Sequence, residues 1–299
     1  MQIRARLGLT ALFALLCGLQ GAASPQEPVG FISAYRWRMD DRRFGGLSGL
    51  ELSGDGLNLT AISDSANWLT AKITRDAEGK ITEIGQGQMG PLKGPKGRPL
   101  KWPRMDSEGL AIAADGTAYV SFEAETRVMR YERLDGPGID LPLHRSFAQF
   151  PFNGSLEALA IDDQGRLYTL PETTDSQTLP FPVLRFDGSK WIQIFRLPRE
   201  GNFLPVGADF GPDGRLYILE RRFLGLGGFA SRVRALYIPE PGGAPEVQTV
   251  LETPPGLHDN LEGLAVWRDG AGAIRLTMVS DDNFSFLLRT EIVEYRLPQ

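Results

Sequence analysis

Short apolar runs, each opened by a polar or charged residue and closed by a glycine turn, recur along this chain. The clearest begins at Glu108, passes through Leu110, Ala111 and Ile112 to a turn at Asp115-Gly116, and returns through Tyr119, Val120 and Phe122 to Glu123. β-Rich runs on both sides of an Asp-Gly pair predict an antiparallel hairpin. The same unit surrounds Gly165, Gly214 and Gly270 and, more loosely, Gly56. Its opening residue, Glu108, Glu157, Val206, Glu262 or Ser48, stands eight positions before the glycine every time. Behind each hairpin the pattern predicts further strands: 69–74 and 80–85, 127–133 and 141–147, 181–186 and 191–197, 232–238 and 246–251. The last unit holds only 274–280 and 290–297. Residues 86–106, rich in Gly, Pro and Lys, read as a loop.

Successive turn glycines are 60, 49, 49 and 56 residues apart. Each interval accommodates four short strands, the content of one propeller blade. The fold expected is therefore an all-β propeller of about five four-stranded blades, six being possible only with a degenerate blade that the spacing does not reveal. An isolated strand at 29–37 supplies what the last blade lacks, and closing the ring there removes a free sheet edge. In such a ring the starts of first strands and the ends of second strands share one mouth. The long connections 86–106, 173–180, 221–230, 254–261 and 281–289 fall on that side, and function is expected there.

Residues 1–23 carry Arg4 and Arg6, an apolar run from Leu7 to Leu19 and a small-residue end, Gly21-Ala22-Ala23, the make-up of a secretory signal peptide. The expected mature chain, 24–299, is one domain, periplasmic or secreted, with no later apolar run long enough to span a membrane. The single cysteine, Cys17, lies in the leader, so disulfides and thiol chemistry are excluded from the mature chain. Formal charge is −5, and loss of two arginines makes it more negative; with no long basic run, nucleic acid is an unlikely partner.

The topology gathers carboxylates at the loop-rich mouth: Glu108, Glu157 and Glu262 from first strands, and Asp64, Glu123, Glu172, Glu220 and Asp281 from the ends of second strands. Like charges in one place demand solvation, protonation, salt bridges or a metal. An all-oxygen set points to Ca²⁺, while the only histidines, His144 and His258, leave zinc poorly supported. Two loops look alike, Ser63-Asp64-Ser65 and Ser280-Asp281-Asp282-Asn283, and residues of this kind hold a cation, orient water or cap turns. Lys101, Arg104 and Arg222 are candidates to hold a phosphate, and His258 beside Asp259 is a candidate acid–base group. The competing reading makes the opening glutamates acceptors for backbone N–H groups of the neighbouring blade, or partners of Arg104, Arg127, Arg166 or Arg222. Ser48 in Gly-Gly-Leu-Ser-Gly lacks the strand-to-helix setting of a nucleophile elbow.

The segments LSGLELSGDG, DSEGLAI, SLEALAIDDQGRLY, DNLEGLAVW and SDDNF together resemble the esterase-like phytase family of exported bacterial proteins over about residues 28–298. The resemblance implies a β-propeller, hydrolysis of a small phosphorylated or other ester substrate, and motif positions at Glu108, Glu157, Glu262, Asp281, Asp282 and Asn283. Val206, where the fourth unit lacks a glutamate, departs from the pattern. The alternative is a non-catalytic envelope propeller that binds a small molecule, glycan, peptide or protein.

Overall fold

The computed structural model describes residues 28–298 except Asp175, Gln177, Pro241 and Phe286; the leader expected over 1–23 lies outside the described residues. Five antiparallel sheets, each beginning with a hairpin of the repeating unit, form five blades in chain order. The innermost strands are Leu47–Leu52, Ser107–Ile112, Ala158–Ile161, Leu204–Phe210 and Asn260–Arg268. Each packs against the next, and the last packs against the first, so the ring is closed. Strand Phe31–Arg36 pairs antiparallel with Glu291–Arg296 as the outer strand of the fifth blade, Ala34 opposite Val293. The N-terminal strand thus completes the blade that the C-terminus leaves one strand short, as the spacing predicts.

The core lies between blades. Val206, Leu219 and Val233 of the fourth blade, for example, pack with Leu264, Leu276 and Val293 of the fifth. Around the axis the inner strands come close enough to exclude side chains. A Cβ on Gly207 would meet the Glu262 carbonyl oxygen at 2.4 Å, and one on Gly263 the Leu50 nitrogen at 3.0 Å. The remaining axial cavity, lined by these glycines with Leu50, Leu110, Leu159 and Leu264, is only about 10 Å³. That is room for at most about one water, so the two mouths of the ring are separate sites.

Three local expectations are corrected. Residues 86–106 are not all loop, because Gln88–Pro91 pairs with the first half of the nine-residue strand Asn67–Arg75, whose second half pairs with Ile81–Ile84. The fourth strand of the second blade is Gly138–Asp140, and Arg145–Gln149 is a 3₁₀ turn. There the His144 Nδ1 accepts the Ser146 N–H and Phe147 anchors the turn against Trp191, which uses apolar residues without strand alternation. In the fifth blade the left-handed turn residue is Gly272, not Gly270, because the inner strand runs two residues further, to Arg268, before the same turn, capped by Asp269, begins.

A candidate acidic centre at the loop-rich mouth

In four of the five hairpins the strand register slips beside the opening position: between Leu47 and Gly49, Ser107 and Leu110, Pro205 and Gly207, and Leu261 and Gly263. Ser48, Glu108, Val206 and Glu262 occupy these bulges. A bulge re-aims a side chain without ending the strand. Glu157 immediately precedes its inner strand. Glu108, Glu157 and Glu262 are buried and sense one another electrostatically, so the repeated motif converges on one mouth.

The second strands deliver the next layer through a conserved register. Ladder pairs Leu47–Ser63, Ser107–Phe122, Pro205–Glu220 and Leu261–Ser280 are equivalent, and the residues that follow them are Asp64, Glu123, Arg221 and Asp281. Glu220, expected at the mouth, is therefore one residue out of register with the acids. A one-residue step turns a side chain to the opposite face of its strand. Glu220 is fully buried within the fourth blade, bound to Arg232 at 2.6 Å and to Arg234. Arg221 takes its place in the mouth, with Nη1 2.7 Å from Glu262 and 2.6 Å from Asn260 Oδ1, and Nη2 3.1 Å from Glu172.

One further acid joins. Asp106, two residues before Glu108, has a carboxylate oxygen that lies with one each from Glu108 and Glu123 inside a triangle no wider than 4.8 Å. These three could coordinate a metal ion. The sequence held a signal for Asp106, since polar residues recur two positions before the glutamate: Asp106, Ser155 and Asn260. Glu123 Oε1 also accepts the N–H groups of Gly154 (2.7 Å) and Ser155 (3.1 Å), linking the second blade to the third. The role of accepting N–H groups from the neighbouring blade, expected of the opening glutamates, thus falls to Glu123 at the end of a second strand.

Charge is badly balanced here. Burial, then Glu123 and Glu262, push the Glu108 carboxyl well above its usual range, and burial with Glu108 and Glu123 does the same to Glu157. Burial and Glu262 raise Asp281 to about 8; burial, Glu123 and Asp64 raise Asp106 to about 6. Burial raises Asp64 as well, with Asp282 adding to the effect. Glu172 and Glu262 are raised by burial and partly relieved by Arg221, whose own pKa these glutamates hold above its usual value despite burial. Eight acids, counting Asp64, Asp106, Glu108, Glu123, Glu157, Glu172, Glu262 and Asp281, meet one arginine.

The donor set fits a hard divalent cation such as Ca²⁺, because it is all oxygen and partly without protein partners. Nothing around Glu108 lowers its pKa, and the fully buried Ser155 Oγ has no hydrogen-bond partner. The remaining expected residues are placed differently. Asp282 is a turn cap, accepting the N–H groups of Gly46 and Phe284 and the Thr290 hydroxyl. Asn283 is an exposed, left-handed turn residue whose N–H bonds to Asp281. His258 is buried beside Phe31, its Nε2 2.6 Å from the Tyr295 hydroxyl, and burial alone drops its pKa to about 4. Arg104 is bound to Glu125 and, at 2.7 Å, to Asp140 on the outer edge of its blade. Arg222 lies over the Phe203 ring, 4.8 Å away, and Lys101 is exposed. None of these four is brought onto the acids. Ser48 donates to the Ser107 carbonyl and ties blade to blade.

A five-bladed propeller with a buried, oxygen-rich mouth is the class that fold and site define. The family model described as phytase-like, esterase-like activity of phytase, matches residues 42–284, and the chain belongs to that family. No curated protein matches the sequence. Among solved structures, the catalytic domain of the Coprinopsis cinerea GH62 α-L-arabinofuranosidase superposes with a TM-score of 0.55 at 11% identity, covering 88% of this chain and 97% of that one. The α-L-arabinofuranosidase PaAbf62A from Podospora anserina, in complex with cellotriose, gives 0.52 at 11%, covering 89% and 98%. Virginiamycin B lyase from Staphylococcus aureus gives 0.45 at 14%, covering 89% and 75%. At these identities the likeness is one of fold. Among the described residues no helix is long and apolar enough to cross a membrane.

Proposed function

We propose that the chain is an exported hydrolase that cleaves a phosphoester or other ester at the acidic mouth with the help of a hard divalent cation, Ca²⁺ first among them. The observation that carries this reading is the excess of buried carboxylates over the single cation Arg221. Asp106, Glu108 and Glu123 would hold the ion, with Glu157, Glu262, Asp64 and Asp281 close enough to complete or tune the set. Bound there, such an ion supplies Lewis-acid polarisation of an ester oxygen and a more acidic water.

The protein's own groups then divide the proton work. Hydrolysis joins a water oxygen to the phosphoryl or acyl centre and breaks the bond to the alcohol oxygen, which leaves with a proton. Glu157, whose carboxyl is pushed up by burial and by its acidic neighbours Glu108 and Glu123, is suited to give that proton. The water's own proton would pass to a carboxylate of the mouth outside the three that would hold the ion. Arg221 would orient an anionic oxygen of the substrate. His258, Lys101 and Arg104, considered for these roles on sequence, have other partners or lie off the acids.

A second reading, a non-catalytic binding propeller of the cell envelope, is favoured by Arg221 itself, which already spans Glu262 and Glu172. Calorimetric titration of Ca²⁺ into the chelator-stripped mature protein and its E157A/E262A variant, followed by phosphomonoester and carboxylester turnover with and without the metal, separates the two. Mutation-sensitive binding that switches on turnover supports the hydrolase. Saturable ligand binding by a metal-free protein without turnover supports the binding module.

A further inference from the structure

The rim of the acidic mouth is apolar. Trp102 is 62% exposed and packs edge-to-face on Phe152, which is 59% exposed, with ring centroids 5.6 Å apart. Trp102 is on the loop that delivers Asp106 and Glu108. Phe152 sits two residues before Gly154, whose N–H binds Glu123, and its carbonyl accepts the Ala124 N–H. From the fourth blade, Phe223, two residues beyond Arg221 and 66% exposed, packs on Phe229 with the two rings tilted, and Leu226 nearby stands fully in solvent. From the fifth, exposed Phe284 lies against Gly46, which also borders Asp64. Single exposed apolar residues are ordinary. Three apolar sets stand on the loops that carry the charged mouth, and each offers a seat for the apolar part of a ligand.

The cations tell the same story from the other side. A polyphosphate would need several free basic groups, yet Arg104 is neutralised by Glu125 and Asp140, Arg222 lies on Phe203, and Arg289 pairs with Asp259 and Glu291. Among the described residues only Arg221 reaches the centre, and it is surrounded by carboxylates. Even with a divalent ion in the centre and exposed Lys101 beside Trp102, a densely anionic substrate meets more carboxylates than cations, so a singly charged or neutral head is favoured over it.

We propose that the substrate of this mouth is an amphiphilic ester: a small head of at most one negative charge enters the acidic centre, and an alkyl, acyl or aryl body lies on one of the two apolar seats, Trp102 with Phe152 or Phe223 with Leu226. The proposal rests on the hydrolase reading for turnover but not for binding. Each methylene buried on the rim tightens binding by up to about fourfold.

The test uses the calcium-loaded mature protein and two monoanionic probes that have no ester bond to hydrolyse, dimethylphosphinate and methyl(octyl)phosphinate, with inositol hexakisphosphate as the polyanionic comparison, all read by calorimetry. The expected result is octyl binding at least 30-fold tighter than methyl. That ratio should fall below about threefold in the exposed-residue variants Trp102→Ser/Phe152→Ser or Phe223→Ser/Leu226→Ser. Equal binding of the two chain lengths, a ratio unchanged in both variants, or tighter binding of the hexakisphosphate overturns the proposal. Chain-length-dependent binding with no turnover of octyl p-nitrophenyl phosphate or p-nitrophenyl octanoate upholds it and refutes the hydrolase reading instead.

Discussion

Arg221 Nη1 lies 2.7 Å from Glu262 Oε1, a contact that reaches from the fourth blade to the fifth across a mouth otherwise lined with acids. It arises because the fourth blade lacks both acids of the repeat: Val206 stands for the inner glutamate and Arg221 for the outer one. The blade that departs from the pattern thus supplies the countercharge for the blades that keep it. Breaking a buried pair by removing one partner costs about 3–5 kcal/mol because the other charge is left uncompensated. Arg221→Met should therefore destabilise the calcium-free protein by about that amount at pH 8, and by much less at pH 5, where the acids can take up protons. Urea denaturation at the two pH values checks it, and a loss independent of pH would show that Arg221 acts by packing alone.

The same imbalance sets the sign of the pH dependence. A carboxyl whose pKa is raised by folding binds a proton in the native state that the unfolded chain has released, so stability falls as pH rises from the unfolded value to the folded one. Unfolded carboxyls titrate near about 4. Asp106 at about 6 and Asp281 at about 8 place the loss between pH 4 and 8, with Glu108 and Glu157 acting in the same direction. Calcium-free protein should melt at progressively lower temperature across that interval. A net cost of only about 2 kcal/mol lowers the Tm by about 4–8 °C. Excess Ca²⁺ at about a hundred times its Kd returns about 2.7 kcal/mol and should flatten the curve. Scanning calorimetry with chelator or calcium from pH 4 to 8 tests this, and a Tm that rises with pH in chelator would contradict the sign.

Glu108 and Glu123 should respond in opposite ways to loss of charge. Glu108 meets only other acids, whereas Glu123 accepts two backbone N–H bonds from the next blade. Glu108→Gln is expected to stabilise the calcium-free protein at pH 8 while weakening Ca²⁺ binding at least tenfold. Glu123→Gln is expected to weaken binding too, but to cost about 1–3 kcal/mol of stability through the damaged hydrogen bonds. Equal stability effects from the two substitutions would mean that the inter-blade bonds of Glu123 carry little weight.

How far the chain announces this arrangement depends on the scale of the pattern. Blade number and closure were readable because turn glycines and eight-residue offsets survive local irregularity, and the Phe31–Arg36 strand had no other partner in its vicinity. The convergence of Glu108, Glu157 and Glu262 followed from the same offset. What escaped was register at the ends of strands. Glu220 and Arg221 are neighbours, and an offset counted in sequence cannot tell which faces the mouth until the ladder pairs Pro205 with Glu220. His258 escaped for a different reason: a histidine beside Asp259 looks accessible in sequence, but the Tyr295 hydroxyl and the Phe31 ring that enclose it come from the two ends of the chain. The register argument has its own check. Glu220→Gln should cost about 3–5 kcal/mol through Arg232 and Arg234 yet leave Ca²⁺ affinity unchanged. Weakened calcium binding in a folded Glu220→Gln protein would return Glu220 to the mouth.

The axial glycines connect packing to the site. Gly207 follows the bulge of the fourth inner strand, and a methyl group there would sit 2.4 Å from the carbonyl oxygen of Glu262, backbone that cannot swing aside. Gly207→Ala must push the fifth inner strand outward, and overpacking of this kind typically costs about 1–3 kcal/mol. Because Glu262 rides on the displaced strand and holds Arg221, the substitution should also weaken Ca²⁺ binding although it lies outside the donor set. Gly54→Ala is the matched control: it is in the same repeat family but has no atom within 4 Å of the added methyl and no left-handed backbone, so stability should stay within about 0.5 kcal/mol. Denaturation midpoints and calcium isotherms for the two variants decide the matter. If Gly207→Ala loses stability but keeps the wild-type isotherm, the acidic centre does not depend on the spacing of the inner strands.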